Sequence, residues 1–328
     1  MRHFPLSTCA LIVFCLAGHA SADAGDIFVG DGEAQLVLSE HAGEGPAWDH
    51  KLGLLFSGHG SIMRMARDGS VDFHRQGAGT NGLLFDKDGS LLACEPALRR
   101  VTRTNTAGKL KVLAEDYDGM PFNQPNDITV DSKGRIYFSD PQYGERSKMK
   151  MLDAEGRQVE GVYRIDPDGK VTRVITHEVD RPNGLVVTPD DRFLFVADNN
   201  NNEVGGARKL WRFAMKSNGS VDLASRTLLY DWGNSRGPDG MVLDAAGRVY
   251  VAGGINKPNP PNETDEKLGG VYVFSSEGKL LAFVRVPRDE VTNCTFGGED
   301  LKTLFVTAGG TLWSVRTTTP GQLLWPRR

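Results

Sequence analysis

Six oxygen-bearing side chains stand at one position of a recurring phrase: Glu44, Asn81, Asn126, Asn183, Asp239 and Asn293. Two are acids and four are amides. A hard divalent cation such as calcium takes its oxygens from carboxylates, amides and water, so the convergence of these side chains would make a cation site. Zinc is a poor match, because no His pair at ligand spacing and no Cys cluster accompanies them. A lone Asn-Gly is ordinarily a turn former, and a lone Glu a solvated loop acid. The shared register sets Glu44, Asn126, Asn183 and Asp239 apart as the metal ligand set. Two carboxylates facing each other across a narrow space repel, and a bound cation removes that penalty. Beside such an ion, Asp239 is the first candidate for a general base and Glu44 the second.

The phrase itself dictates the elements that carry these residues. Its clear copies are PNDITVD (125–131), PNGLVVT (182–188) and PDGMVLD (238–244), with looser copies EGPAWD, TNGLLFD and TNCTFGG. Each is followed by a β-rich run (GLLFSG, GSLLACE, GRIYFSD, RFLFVAD, GRVYVAG, KTLFVTA) and then by a third. Fourth strands read as KVLAED, KVTRVITH, RTLLYD and LLAFVRVP. Asp88-Gly89, Lys133-Gly134, Asp168-Gly169, Asn218-Gly219 and Glu277-Gly278 suit tight hairpins. Internal repetition at this scale predicts an array of similar sheets: an all-β, six-bladed β-propeller with four antiparallel strands per blade. From Gly45 to Gly82, Asp127, Gly184, Gly240 and Cys294 the repeats are 37, 45, 57, 56 and 54 residues apart, with the extra length in loops 144–160 and 253–268. In such a ring the first strand of each blade lines the channel, which aims the six oxygen-bearing residues at its mouth.

Blade six has no evident fourth strand after GTLWSV, whereas AQLVLSE (34–40) precedes blade one with the length of an outer strand. It is expected to complete blade six and clasp the chain ends together. Residues 1–22 have a basic start, an apolar run and Ala20-Ser21-Ala22, the layout of a secretory signal peptide. Residues 23–328 then form a single propeller domain, periplasmic or secreted. Cys94 and Cys294 lie in different blades and are not expected to pair by default. The 328-residue chain carries a net charge of −4 and no Lys/Arg block, which argues against nucleic acid as a partner, and no membrane partner is expected. The sequence leaves the oligomeric state open.

EGPAW, the PND/PNG/PDG series, SDPQYG (139–144) and NCTFGGEDLKTLFVTA (293–308) resemble the SMP-30/gluconolactonase/luciferin-regenerating-enzyme-like family, in its bacterial gluconolactonase-like branch. The resemblance covers nearly all of the chain after residue 22. It implies a Ca²⁺-dependent hydrolase that opens a small sugar lactone, other divalent cations being compatible with the same oxygens. Carried over residue by residue, it assigns the metal to Glu44, Asn183 and Asp239, with Asn126 beside it and toward the substrate. The ACE phrase before Arg99-Arg100 and the DPQYG phrase also look like that branch, making Glu95, Arg99 and Tyr143 candidate substrate contacts. The expected chemistry is polarisation of the lactone carbonyl by the ion, with Asp239 or Glu44 assisting attack by water. An organophosphate or arylester hydrolase on the same metal, and a noncatalytic calcium-binding propeller, remain open alternatives.

Other signals carry less. GNSRG (233–237) matches G-x-S-x-G, but that elbow joins a strand to a helix, and here Pro238 leads straight into a propeller strand. His59 reads as a loop histidine. DNNNNEVGG (198–206) lacks the spaced acids of an EF-hand and reads as a flexible, Asx-rich loop.

Overall fold

The computed structural model describes residues 27–322; the signal-peptide assignment to 1–22 falls outside them. Six four-stranded antiparallel sheets follow one another along the chain. Their inner strands are Glu44–Asp49, Leu83–Phe85, Ile128–Val130, Pro182–Val187, Met241–Leu243 and Val291–Gly297. Each inner strand touches the next, and the last touches the first, so the ring is closed. This is the expected six-bladed propeller.

Period-two alternation explains why the blades stack. In blade three, Phe138 and Tyr163 face blade two and pack with Leu92 and Cys94. Their neighbours Tyr137 and Val162 face the other way, onto Leu185, Val187 and Leu194 of blade four. The same division repeats around the ring, giving a separate core between every adjacent pair of blades. Fully burying each such side chain contributes about 1.5–3 kcal/mol, so stability is distributed around the ring. The glycines of the five predicted hairpin turns all have positive φ.

Ring closure follows the expected clasp. Gln35–Leu38 is the outer strand of blade six, antiparallel to Thr311–Arg316, with Gln35 opposite Ser314 and Leu36 opposite Trp313. Val37 and Leu38 pack onto the core between blades six and one. The join extends past the strand, since Val29 N donates to Arg316 O at 2.9 Å. Cys94 and Cys294 are buried free thiols.

Some elements differ from the sequence reading. The outer strand of blade four is Val221–Asp231, eleven residues rather than RTLLYD alone. A two-stranded ribbon, Asp116–Tyr117 with Met120–Pro121, precedes blade three. At the far end of the channel from Glu44, Gln322 N donates to Leu243 O at 2.9 Å, bringing the tail across to blade five. A cavity of about 940 Å³ occupies that far end, lined by groups such as Trp48, Phe85, Leu185, Met241 and Phe296. It lies along the channel beyond the residues on which the chemistry was expected.

Candidate active site

The inner strands begin close together because glycine follows the phrase's polar residue in most blades. A Cβ on Gly82 would come within 2.6 Å of Asn126 O and Asp127 Oδ1, and Gly82 N donates to Asn126 O at 2.7 Å. In blades three and four, a carboxylate at the end of the second strand clamps the loop entering the inner strand. Asp140 Oδ2 accepts from Asn123 N at 2.8 Å. Asp198 accepts from Arg181 N at 3.0 Å and Asp180 N at 3.2 Å. These clamps set the starts of the strands bearing Asn126 and Asn183. Burial raises the carboxyls of the two clamps, Asp140 to about 8 and Asp198 to about 6.

At the mouth, Glu44 Oε2 accepts from Gly45 N at 2.7 Å and from Asn293 Nδ2 at 3.2 Å. Desolvation raises the Glu44 carboxyl to about 7. Asp239 is raised well above the usual carboxylate range, first by burial and then by the charge of Glu44, while Arg236 opposes the rise. Its Oδ2 accepts weakly from Asn199 Nδ2 at 3.4 Å, and its Oδ1 has no hydrogen-bond partner. Asn183 donates from Nδ2 to the Tyr143 hydroxyl at 2.5 Å, and its Oδ1 is likewise buried without a partner. Asn81 Oδ1 is a third such oxygen. Asn126 is buried at the head of its strand.

A third acid joins this group. Asp127 occupies the position held by glycine in blades one, two, four and five. Its Oδ1 accepts from Ile128 N at 2.9 Å, and it shares the Asn293 amide with Glu44. Burial and the Glu44 charge raise it to about 7. An acid at a position that is glycine in four of the other five blades was the available sequence signal.

Of the other expected residues, Tyr143 joins the mouth while Glu95 and Arg99 bind other parts of the ring. Glu95 is buried and fully engaged, with Arg75 at 2.5 Å, Arg100 at 2.7 Å and Thr102 Oγ1 at 2.8 Å. That carboxylate ties the outer strand of blade one, through Arg75, to the second and third strands of blade two. Arg99 has a left-handed backbone after the short Pro96–Leu98 helix and donates from Nη1 to Phe122 O at 2.8 Å, tying blade two to the approach to blade three. Tyr143 lies in the amide network around Asn183, under the Arg181 guanidinium at 5.5 Å. Ser235 is buried, its Oγ accepting from Lys267 N at 2.9 Å, and carries no nucleophilic geometry. His59 Nε2 meets His41 Nδ1 at 2.8 Å.

Among the described residues, no three His, Cys, Asp or Glu side chains gather as a metal cluster. The acids of the mouth act on one another through their charges without closing into such a group. The unpartnered oxygens of Asp239, Asn183 and Asn81 suit a hard cation held jointly by carboxylate and amide oxygens.

A closed six-bladed propeller with an acid-and-amide site at one mouth defines the class of protein. The chain belongs to the SMP-30/gluconolactonase/LRE-like family, whose model matches residues 42–310. It is 30% identical over 252 residues to a gluconolactonase of Zymomonas mobilis, covering 74% of this chain and 64% of that protein. It is 30% identical over 275 residues to a pentonolactonase of Haloferax volcanii, covering 82% and 81%. The solved structure of a gluconolactonase from Xanthomonas campestris superposes with a TM-score of 0.71 at 30% identity, covering 88% of this chain and 91% of that one.

Proposed function

We propose that this protein is a Ca²⁺-dependent hydrolase that opens a small sugar lactone. The observation that carries the reading is the pair of buried, unpartnered oxygens, Asp239 Oδ1 and Asn183 Oδ1, beside Glu44 at the channel mouth. Similarity to sugar lactonases supports the substrate class. Glu44, Asn183 and Asp239 would hold the ion, with Asn126 alongside. Calcium bound there supplies Lewis-acid polarisation of a carbonyl.

The protein's own groups do the remaining work. A lactone is neutral and opens to an acid and an alcohol, so one proton must leave the attacking water and one must reach the ring oxygen. A carboxylate of the mouth takes the first proton. With Oδ1 given to the ion, Asp239 would use Oδ2, which accepts only a weak hydrogen bond from Asn199 Nδ2 at 3.4 Å, and this suits it better than Glu44, whose Oε2 already accepts two. The Asn293 amide holds Glu44 and Asp127 by hydrogen bonds. We also propose that the chain is exported, on the pattern of residues 1–22.

The test is acid release from D-glucono-1,5-lactone near neutral pH, corrected for spontaneous opening, with calcium, after chelation and after calcium is restored. Activity lost and regained with calcium is expected. Equal activity with and without chelator removes the metal from the reading. No turnover while calcium still binds shifts the reading to phosphoesters or arylesters.

A further inference from the structure

The Asx-rich loop after Asp198 forms a chain of buried amides that ends on Asn183. Asn199, Asn200 and Asn201 are all buried, in contrast to the flexible loop their composition suggested. The polarity of the chain is set from outside. Gly237 donates its backbone N–H to Asn201 Oδ1 at 2.8 Å, and Arg208 Nε donates to the same oxygen at 3.2 Å. Neither donor can accept, so the amide nitrogen of Asn201 must face Asn199. It donates to Asn199 Oδ1 at 2.9 Å. The Asn199 nitrogen is thereby turned to Pro238 O at 2.8 Å and to Asp239 Oδ2. Asn199 Oδ1 takes a second hydrogen bond from the Tyr143 hydroxyl at 3.3 Å. A hydroxyl has one proton to give, so the Tyr143 oxygen then accepts, and it does so from Asn183 Nδ2. Asn183 Oδ1 is left facing away from Tyr143 with no partner.

An asparagine amide has nearly the same shape either way round, so packing cannot distinguish its oxygen from its nitrogen. Only hydrogen-bond polarity can. We propose that the relay from Gly237 through Asn201, Asn199 and Tyr143 locks Asn183 with its oxygen, never its NH₂, toward the acid cluster, and steadies Asp239 through Asn199. Tyr143 and Asn201 are therefore positioning residues. The inference rests on the cation reading of the mouth, since a hard cation accepts an amide oxygen and is repelled by an amide NH₂.

Calcium titration calorimetry on the metal-free protein tests it, with Tyr143→Phe, Asn201→Asp and each of these combined with Asn183→Asp. Asn201→Asp keeps the acceptor for Gly237 and Arg208, puts an acceptor in place of the donor to Asn199, and adds a charge that the Arg208 guanidinium faces. Partners that orient a ligand typically account for about 10–100-fold in metal affinity, so each single variant should weaken calcium binding by at least about 10-fold. With Asn183→Asp both terminal atoms are oxygens, the polarity ceases to matter, and the penalty of either variant should largely vanish. Wild-type affinity in both single variants, or a penalty undiminished by Asn183→Asp, overturns the relay while the cation reading stands. A wild-type protein that takes up no calcium overturns both. Should one single variant not fold, the other carries the comparison.

Discussion

Asn293 donates from Nδ2 to Glu44 Oε2 at 3.2 Å, joining the head of blade six to the head of blade one across 249 residues of chain. The bond crosses the seam where the ring closes, so the site and the closure share a boundary. The clasp strand Gln35–Leu38 should therefore matter to both. Removing residues 1–40 exposes the Thr311–Arg316 edge and uncovers the core beneath Val37 and Leu38. Half-burial of those two side chains and loss of the fully buried Ile27 suggest a loss of about 3–6 kcal/mol. Urea unfolding of the shortened chain measures it, and an unchanged midpoint would mean that the clasp contributes nothing.

Asp239 carries the heaviest functional expectation. Asp239→Ala should lower lactone turnover by at least about 100-fold and weaken calcium binding, with the sheets intact by circular dichroism. In metal-free protein, Asp239→Asn should raise the melting temperature, because it removes a buried carboxylate repelled by Glu44. Undiminished turnover in Asp239→Ala would sink the site assignment.

Glu95 should separate stability from chemistry. Glu95→Ala leaves Arg75 and Arg100 without their shared carboxylate. Breaking a fully buried pair costs about 3–5 kcal/mol, and because these guanidiniums are 21% and 27% exposed, about 2–3 kcal/mol is expected here. The folded fraction should retain near wild-type kcat/KM. A selective rise in KM without loss of stability would restore Glu95 to the substrate pocket.

Asp140 sets a pH dependence with a definite sign. Its carboxyl is raised from 3.8 to about 8 by burial, so the native state keeps a proton that the unfolded chain releases. The native state then binds more protons between those values, and stability falls as pH rises from about 4 toward 8. Each pKa unit is worth about 1.4 kcal/mol, so the effect is on the order of a few kcal/mol. Asp140→Asn, which keeps an acceptor for Asn123 N, should flatten that slope. Urea midpoints in chelator at acidic and mildly alkaline pH make the comparison, and an equally steep fall in the variant would reject Asp140 as its source.

The repeated phrase determined the architecture and the ring of oxygen-bearing residues, because period-two strands and hairpin glycines are local and survive in the sequence. It also placed Glu44, Asn183 and Asp239 at equivalent heads of inner strands. Family resemblance followed from the same residues. What the tertiary structure alone decided is how side chains from different blades meet. The Asn293–Glu44 bond, the entry of Asp127 into the acid group and the reach of Arg75 from blade one to Glu95 in blade two are contacts between different blades. The 198–206 loop is the clearest case. Its composition resembles a solvated turn, yet Gly237 and Arg208 bury its amides and give them a direction. Donor and acceptor polarity is a property of a closed network, and no single stretch of sequence contains one.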